Sequence, residues 1–340
     1  MSIQQIRKPY LIFVGDIEDP RNAKTGFGLR DWARQDCLGQ LRYNDGERAV
    51  DLGLPVFSLE EAALAGARTL VIGISPPGGQ LPAHWYPTLI AALEAGLDVA
   101  SGLHQRLQDI PNIVRQAARL GRTLHDVRHC NTTFSVGTGL ARQGRRLLTV
   151  GTDCAVGKKY TALAIANALA KRGHRADFRA TGQTGILISG RGVAIDAVVA
   201  DFISGAAEAL SPANDPHHWD IIEGQGSLFH PAFAGVTLGL VHGSQPSAMV
   251  LCHDWGRQNL LALPHVAIVS LERAIEGYLA AARLTSPQAR FIGLSLNTSA
   301  LSAAKANEVL KDTAERFHLP CVDPIRGGVE ALIDGLEHFE

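Results

Sequence analysis

The chain has 340 residues, which at roughly 150 residues per domain is enough for two domains that each bury a core. Hydrophobic residues make up 46% and charged residues 19%, which excludes extended disorder, and the 35 glycines are a surplus that points to phosphate loops. Lys and Arg total 32 against 33 acidic residues, so the net charge of -1 offers no broad basic field for a nucleic-acid backbone, and any anion site must be local.

Taken in chain order, residues 10–14 predict a buried strand, 59–67 a helix, and 69–74 a second strand that stops at the turn Pro76-Pro77-Gly78-Gly79. Residues 86–95 have helical spacing closed by Gly96, and 97–100 resume as a short strand. Strand, loop, helix and strand in succession predict a Rossmann-like parallel-sheet domain. A less regular stretch over 104–130 and a polar, glycine-bearing one over 131–146 place the domain boundary near residue 140, giving domains of 1–140 and 141–340. In the second half, strands are predicted at 146–150, 176–180, 220–223, 248–252, 266–270 and 291–297, with helices at 161–171, 195–210, 271–282 and 300–317. That alternation predicts a doubly wound α/β domain of the P-loop NTPase type. No repeat of fixed period is present.

The five cysteines, Cys37, Cys130, Cys154, Cys252 and Cys321, never form a C-x-x-C pair, so neither a disulfide framework nor a zinc site is expected. The N-terminal MSIQQIRKPYLIFVGD holds only a short apolar run, and no segment reaches the length of a membrane span. The expectation is a reduced, cytoplasmic protein with neither membrane nor nucleic-acid partners.

The strongest chemical signal is Gly151-Thr152-Asp153-Cys154-Ala155-Val156-Gly157-Lys158-Lys159-Tyr160-Thr161, set between a predicted strand and a predicted helix. Glycines let backbone N–H groups converge on an anion, Lys158 adds a point charge, and the following helix presents its positive end. The gap from Gly151 to Gly157 is one residue wider than the common G-x-x-x-x-G-K-[ST] pattern. This wider loop resembles that of dethiobiotin synthetases, in which a Ser or Thr after the lysine ligates Mg²⁺ beside the terminal phosphates of ATP. Here that position is Lys159, which has no lone pair to offer a metal. The substitution favours holding a nucleotide phosphate over cleaving one, and coenzyme A fits that role. Thr161 is the candidate to replace the missing metal ligand, which keeps Mg²⁺ and ATP chemistry open.

Glu223, at the end of an apolar strand in Ile221-Ile222-Glu223-Gly224-Gln225-Gly226-Ser227, is aimed at the same crevice, because ligands of open α/β sheets bind beyond the carboxyl ends of the strands. It reads as a general base or a metal-water ligand, against a carboxylate that accepts the N–H groups of its own turn. Thr181, Gln183 and Gln225 in nearby turns are substrate-binding candidates, as are Arg179 and Arg191 for a carboxylate and Asp196 near a helix start. Asn297 is a candidate for an adenine edge, with a helix cap as its alternative. Lys24 and Ser75 lie in weaker glycine-containing loops of the first half.

With the loop, the Glu223-Gly-Gln-Gly segment and the two-domain layout together, the chain resembles the DgcN-type D-glutamate N-acetyltransferase family over nearly its whole length. The resemblance implies transfer of acetyl from acetyl-CoA to the amino group of D-glutamate, with small-molecule partners only and a closed homo-oligomer expected. It fixes no catalytic residue, so roles follow from chemistry. Glu223 is the base. Lys158, Lys159 and the loop amides hold coenzyme A, and Arg179 or Arg191 holds the glutamate carboxylates. N–H groups of 224–227 or 181–185 face the oxyanion, and Cys154 is a small loop residue rather than a nucleophile. The alternative is an ATP- and Mg²⁺-dependent ligase or kinase related to dethiobiotin synthetase.

Overall fold

The computed structural model describes residues 5–43, 49–76, 79–129 and 132–338, so Pro77, Gly78 and Cys130 lie outside the described residues. The chain forms two compact units, residues 1–132 with 182–197, and residues 133–181 with 198–340. Among the described residues, no helix is long and apolar enough to cross a membrane.

The first unit is built on five parallel strands, β1 (Tyr10–Gly15), β2 (Cys37–Arg42), β3 (Thr69–Ile72), β4 (Asp98–Ser101) and β5 (Leu124–Asp126), in the order β2-β1-β3-β4-β5. The strand β1 is buried at every position, which explains its unbroken apolar run YLIFVG. Helices Lys24–Trp32, Leu59–Leu64, Tyr86–Glu94 and Pro111–Leu120 connect these strands. Ser58 and Glu61 close a reciprocal capping box at the start of the second helix. A further helix, Gln183–Ser189, belongs to this unit although it lies far along the chain. Its end is tied to the unit's first residues, where Ile6 N donates to Gly190 O at 2.7 Å and Lys8 Nζ to Ile188 O at 3.0 Å.

The second unit carries six parallel strands, β6 (Arg145–Gly151), β7 (Ala176–Arg179), β8 (Trp219–Ile222), β9 (Ala248–Asp254), β12 (Arg290–Asn297) and β13 (Cys321–Val322), in the order β13-β12-β9-β6-β8-β7. Leu147, Ile165, Leu169, Ile221, Val250 and Leu332 form part of the core between this sheet and the helices Lys158–Lys171 and Glu330–Glu337. The chain runs from β6 to the edge strand β7, returns to β8 beside β6, and then crosses to β9 on the other side. The order therefore reverses at β6, and the crevice opens beyond its carboxyl end.

Three predicted elements are corrected. The expected helix over 195–210 is two short 3₁₀ turns, Ile195–Ala197 and Ala200–Phe202, followed by a helix only over Ile203–Leu210. The expected sheet strand at 266–270 is instead part of a small antiparallel ribbon, β10 (Asn259–Leu260) with β11 (Leu263–Ala267). The helix after the glycine loop begins at Lys158, not at residue 161.

Candidate functional site

The loop between β6 and the helix Lys158–Lys171 turns on Gly157, whose φ of +104° only glycine adopts readily. Lys158 is buried, and its Nζ donates to Asp153 O at 2.7 Å. Burial pushes its ammonium below the ordinary lysine range. Lys159 is half-buried, with its Nζ 4.7 Å from the centre of the Tyr160 ring. Burial lowers its pKa as well, and the charge of Glu223 opposes that shift.

A bracket of side chains fixes the shape of the loop. Asp153 is fully buried, and its carboxylate accepts from Arg257 Nη1 at 2.9 Å, Leu261 N at 2.7 Å and Cys154 N at 2.6 Å. Arg257 also donates to Cys154 O at 2.6 Å and to Ala155 O at 3.3 Å, and pairs with Asp254 at 3.2 Å. In a trans peptide the carbonyl and the next N–H point opposite ways, so holding these two carbonyls sets the N–H groups of Ala155 and Val156. Asp153 is thus a brace of the loop rather than a group presented to a ligand. Thr152 Oγ1 is bonded to His253 Nδ1 at 2.8 Å, and Thr152 O accepts from Ser227 Oγ at 3.1 Å. Tyr278, its phenol pushed up to about 12 by burial, donates to Gly151 O at 2.8 Å.

Glu223 follows β8 directly and is buried. Its Oε2 accepts from Thr181 N at 2.9 Å, and its carbonyl accepts from Thr181 Oγ1 at 2.6 Å. The next residue must be glycine, because a Cβ on Gly224 would lie 1.7 Å from Thr149 O and 3.0 Å from Lys158 Cδ. That close approach holds the end of β8 against β6 and brings Glu223 within electrostatic reach of both Lys158 and Lys159.

On the other side of the loop, a cavity of about 290 Å³ is lined by Ala155, Gly157, Tyr160, Asn297, Pro324 and Ile325, among others. Asn297 Oδ1 accepts from Ser299 N at 3.1 Å, and it is Ser302 that caps the helix Ala303–Phe317. Thr161, also on the cavity wall, is fully buried, and its hydroxyl is bonded to Gly157 O at 3.1 Å and Ser295 Oγ at 2.7 Å.

The structure gives Arg179 a different place from the one expected. Its Nε and Nη2 both lie 2.8 Å from Asp220 Oδ1, and Nη2 lies 3.1 Å from Asp177 Oδ2. Asp177 and Asp220 are in register on β7 and β8, so Arg179 neutralises two carboxylates that would otherwise repel, with its Nε and Nη2 engaged there. Gln183, Arg191 and Asp196 belong to the first unit, where Gln183 Nε2 is a long 3.4 Å from Asp196 Oδ1. Gln225 is half-buried in the turn after Glu223. Lys24 and Ser75 are exposed in the first unit, and Ser75 N donates to Asn22 O at 2.7 Å. Cys37, Cys154, Cys252 and Cys321 are free thiols, and burial pushes Cys154 above the ordinary thiol range. Sequence reasoning missed Arg257, Leu261 and Tyr278, which belong to no local motif.

Residues 135–333 match the P-loop domain of DUF1611, described as a domain of unknown function, and residues 44–130 match the Rossmann-like domain DUF1611_N. Among curated proteins, a D-glutamate N-acetyltransferase of Pseudoalteromonas sp. is 48% identical over 332 residues, covering 98% of this chain and 99% of that protein. A second D-glutamate N-acetyltransferase, from Tritonibacter scottomollicae, is 47% identical over 97% of this chain and 99% of its own. Among solved structures, a DUF1611 family protein from Anabaena variabilis superposes with a TM-score of 0.81 at 34% identity, covering 97% of this chain and 99% of that one. On the family matches and on likeness along the whole chain, this protein belongs to the DUF1611 family.

Proposed function

We propose that this chain is an N-acetyltransferase that moves an acetyl group from acetyl-CoA to the amino group of D-glutamate. The likeness to two D-glutamate N-acetyltransferases at 48% and 47% identity, end to end, carries the reading. The geometry of the second unit supports it, with an amide-bearing loop, two lysines and a carboxylate gathered at the carboxyl ends of β6 and β8. In this reading the loop amides of 151–160, Lys158 and Lys159 hold the phosphates of coenzyme A, and the cavity beside Tyr160 and Asn297 takes its adenine.

An amino acid at neutral pH presents an ammonium, which cannot attack a thioester. Glu223 takes one of its protons, and the freed amine adds to the thioester carbonyl carbon. Gly224 N is committed to Thr149 Oγ1 at 3.0 Å, and Thr181 N to Glu223, so in this reading the oxyanion is met by the N–H groups of the turn that follows Gly224, those of Gln225, Gly226 and Ser227. On collapse the carbon–sulfur bond breaks, one proton goes to the thiolate to give coenzyme A, and one leaves to solvent. In this reading Arg179 serves the Asp177 and Asp220 carboxylates rather than glutamate, whereas Gln225 is retained as an amino-acid contact.

An ATP-dependent ligase or kinase is disfavoured by Lys159 and by the engaged hydroxyl of Thr161. Acetyl-CoA with D-glutamate should release free thiol, and Glu223→Gln should lower kcat about 100-fold while leaving the KM for acetyl-CoA nearly unchanged. A Gln variant at full turnover would remove Glu223 from the base role, and phosphate release from ATP without thiol release would remove the reaction itself.

A further inference from the structure

P-loop sites of this fold hold their polyphosphate together with Mg²⁺, which is ligated by a hydroxyl just after the loop lysine and by nearby carboxylates through water. The donor set here does not fit that ion. The hydroxyl position is Lys159, an ammonium where a lone pair is needed. The nearest replacement, Thr161, is fully buried and bonded to Gly157 O and Ser295 Oγ. The Asp153 carboxylate is fully buried and holds Arg257, Leu261 N and Cys154 N. Glu223 Oε2 holds Thr181 N.

What the site lacks in ligands it has in charge. The two consecutive lysines divide the ends of the loop between them. Lys158 reaches back into the loop, its Nζ on Asp153 O at 2.7 Å, whereas Lys159 lies beside the Tyr160 ring and is acted on by Glu223, the carboxylate a metal of this fold would face.

We propose that the Lys159 ammonium takes the place of the divalent cation, so that the loop binds the diphosphate of its nucleotide as a metal-free complex. The proposal rests on the acetyl-CoA reading and deepens it. The bridging diphosphate of coenzyme A is a diester with one negative charge per phosphate, which two ammonium groups balance. A terminal triphosphate carries more charge than they can offset. A tethered ammonium also avoids the reluctant dehydration of Mg²⁺ and is present at every turnover.

Calorimetric titration of the full-length protein with CoA and with ADP, in EDTA and again in millimolar Mg²⁺, tests this. For the wild type, CoA affinity should agree within about twofold between the two buffers. Lys159→Met, shown folded by its melting curve, should bind CoA about 10- to 100-fold more weakly in both buffers, the scale of a lost charge-assisted contact, while Lys159→Arg stays within about fivefold of wild type. Tightening of wild-type CoA binding by Mg²⁺ of about tenfold or more would overturn the proposal, as would a folded Met variant with unchanged affinity. Metal-free binding of ADP without any binding of CoA would instead remove the acetyl-CoA reading and leave the role of Lys159 standing.

Discussion

Replacing Arg257 with alanine removes the guanidinium that holds the phosphate loop in shape, and the loss can be worked from its contacts. Its bond to the buried Asp153 carboxylate at 2.9 Å is charge-assisted, and those to Cys154 O at 2.6 Å and Ala155 O at 3.3 Å fix the turn of the loop. A hydrogen bond to a charged group contributes about 1.5–3 kcal/mol, and one to a neutral carbonyl about 1 kcal/mol. Asp153 keeps the N–H groups of Cys154 and Leu261, so the ion pair counts at its lower end of about 1.5 kcal/mol, Cys154 O at about 1 kcal/mol and the long contact to Ala155 O at about 0.5 kcal/mol, about 3 kcal/mol in all. Placed entirely on loop order, that is roughly a 100-fold rise in the KM for acetyl-CoA, at about 1.4 kcal/mol per tenfold. Because Arg257 bonds to the far side of the loop, kcat at saturation should stay within about threefold. Initial rates of thiol release with acetyl-CoA varied at saturating D-glutamate separate the two constants. Lys in this position keeps the ion pair but not the fork, and should fall between wild type and alanine. A folded Arg257→Ala enzyme with wild-type KM, or one whose kcat collapses at unchanged KM, refutes the reasoning.

Gly224→Ala drives a methyl to 1.7 Å from the main-chain oxygen of Thr149, which no rotamer change can relieve. An overpacking loss of about 3 kcal/mol corresponds to a melting point lower by roughly 6 to 12 °C in calorimetry, and a shift near zero would count against the packing described. Cys154→Ala should keep turnover within about threefold, because burial raises the thiol pKa and leaves it protonated at neutral pH. Mass spectrometry that finds acetyl on Cys154, together with an inactive Ala variant, would reverse that view. Burial lowers the pKa values of His125 and His253 below their ordinary 6.5, so the folded protein holds these rings neutral where the unfolded chain takes up protons. Stability is then full above about pH 6.5 and falls as pH drops toward the folded pKa values, and a melting temperature flat from about pH 8 to about pH 5.5 would contradict it.

The glycine loop was legible because three signals agree over one stretch: a buried apolar strand, Gly and Lys at the turn, and an alanine-rich helix behind it. The strand β2 was not, because CLGQLR mixes polar residues and a glycine with its apolar ones and is buried through its neighbours rather than its pattern. The helix Ala234–Ser244 escaped notice since AGVTLGLVHGS is apolar on most sides and rich in glycine, with no amphipathic period to read. Arg179 looked like a ligand-binding residue until its partners were known. Asp177 precedes it on the same strand, but Asp220 is far along the chain, and only strand register reveals that the pair needs a counter-charge. Arg257 had no signal at all, since an isolated arginine in a loop looks like any solvated cation, and its role arises from carbonyls more than a hundred residues earlier.

The helix Gln183–Ser189 has a bearing on how the polypeptide is made. The first unit takes in residues 182–197, so the ribosome must complete β6, the phosphate loop and β7 before the first unit has all its parts. Vectorial synthesis cannot finish one unit before starting the other, and a nascent chain halted ahead of residue 182 would carry the Rossmann-like sheet without the segment that Ile6 and Lys8 grip. For the same reason, no single cut in the gene gives both units whole: one after residue 132 leaves the first without 182–197, and one after residue 197 leaves the second without 133–181.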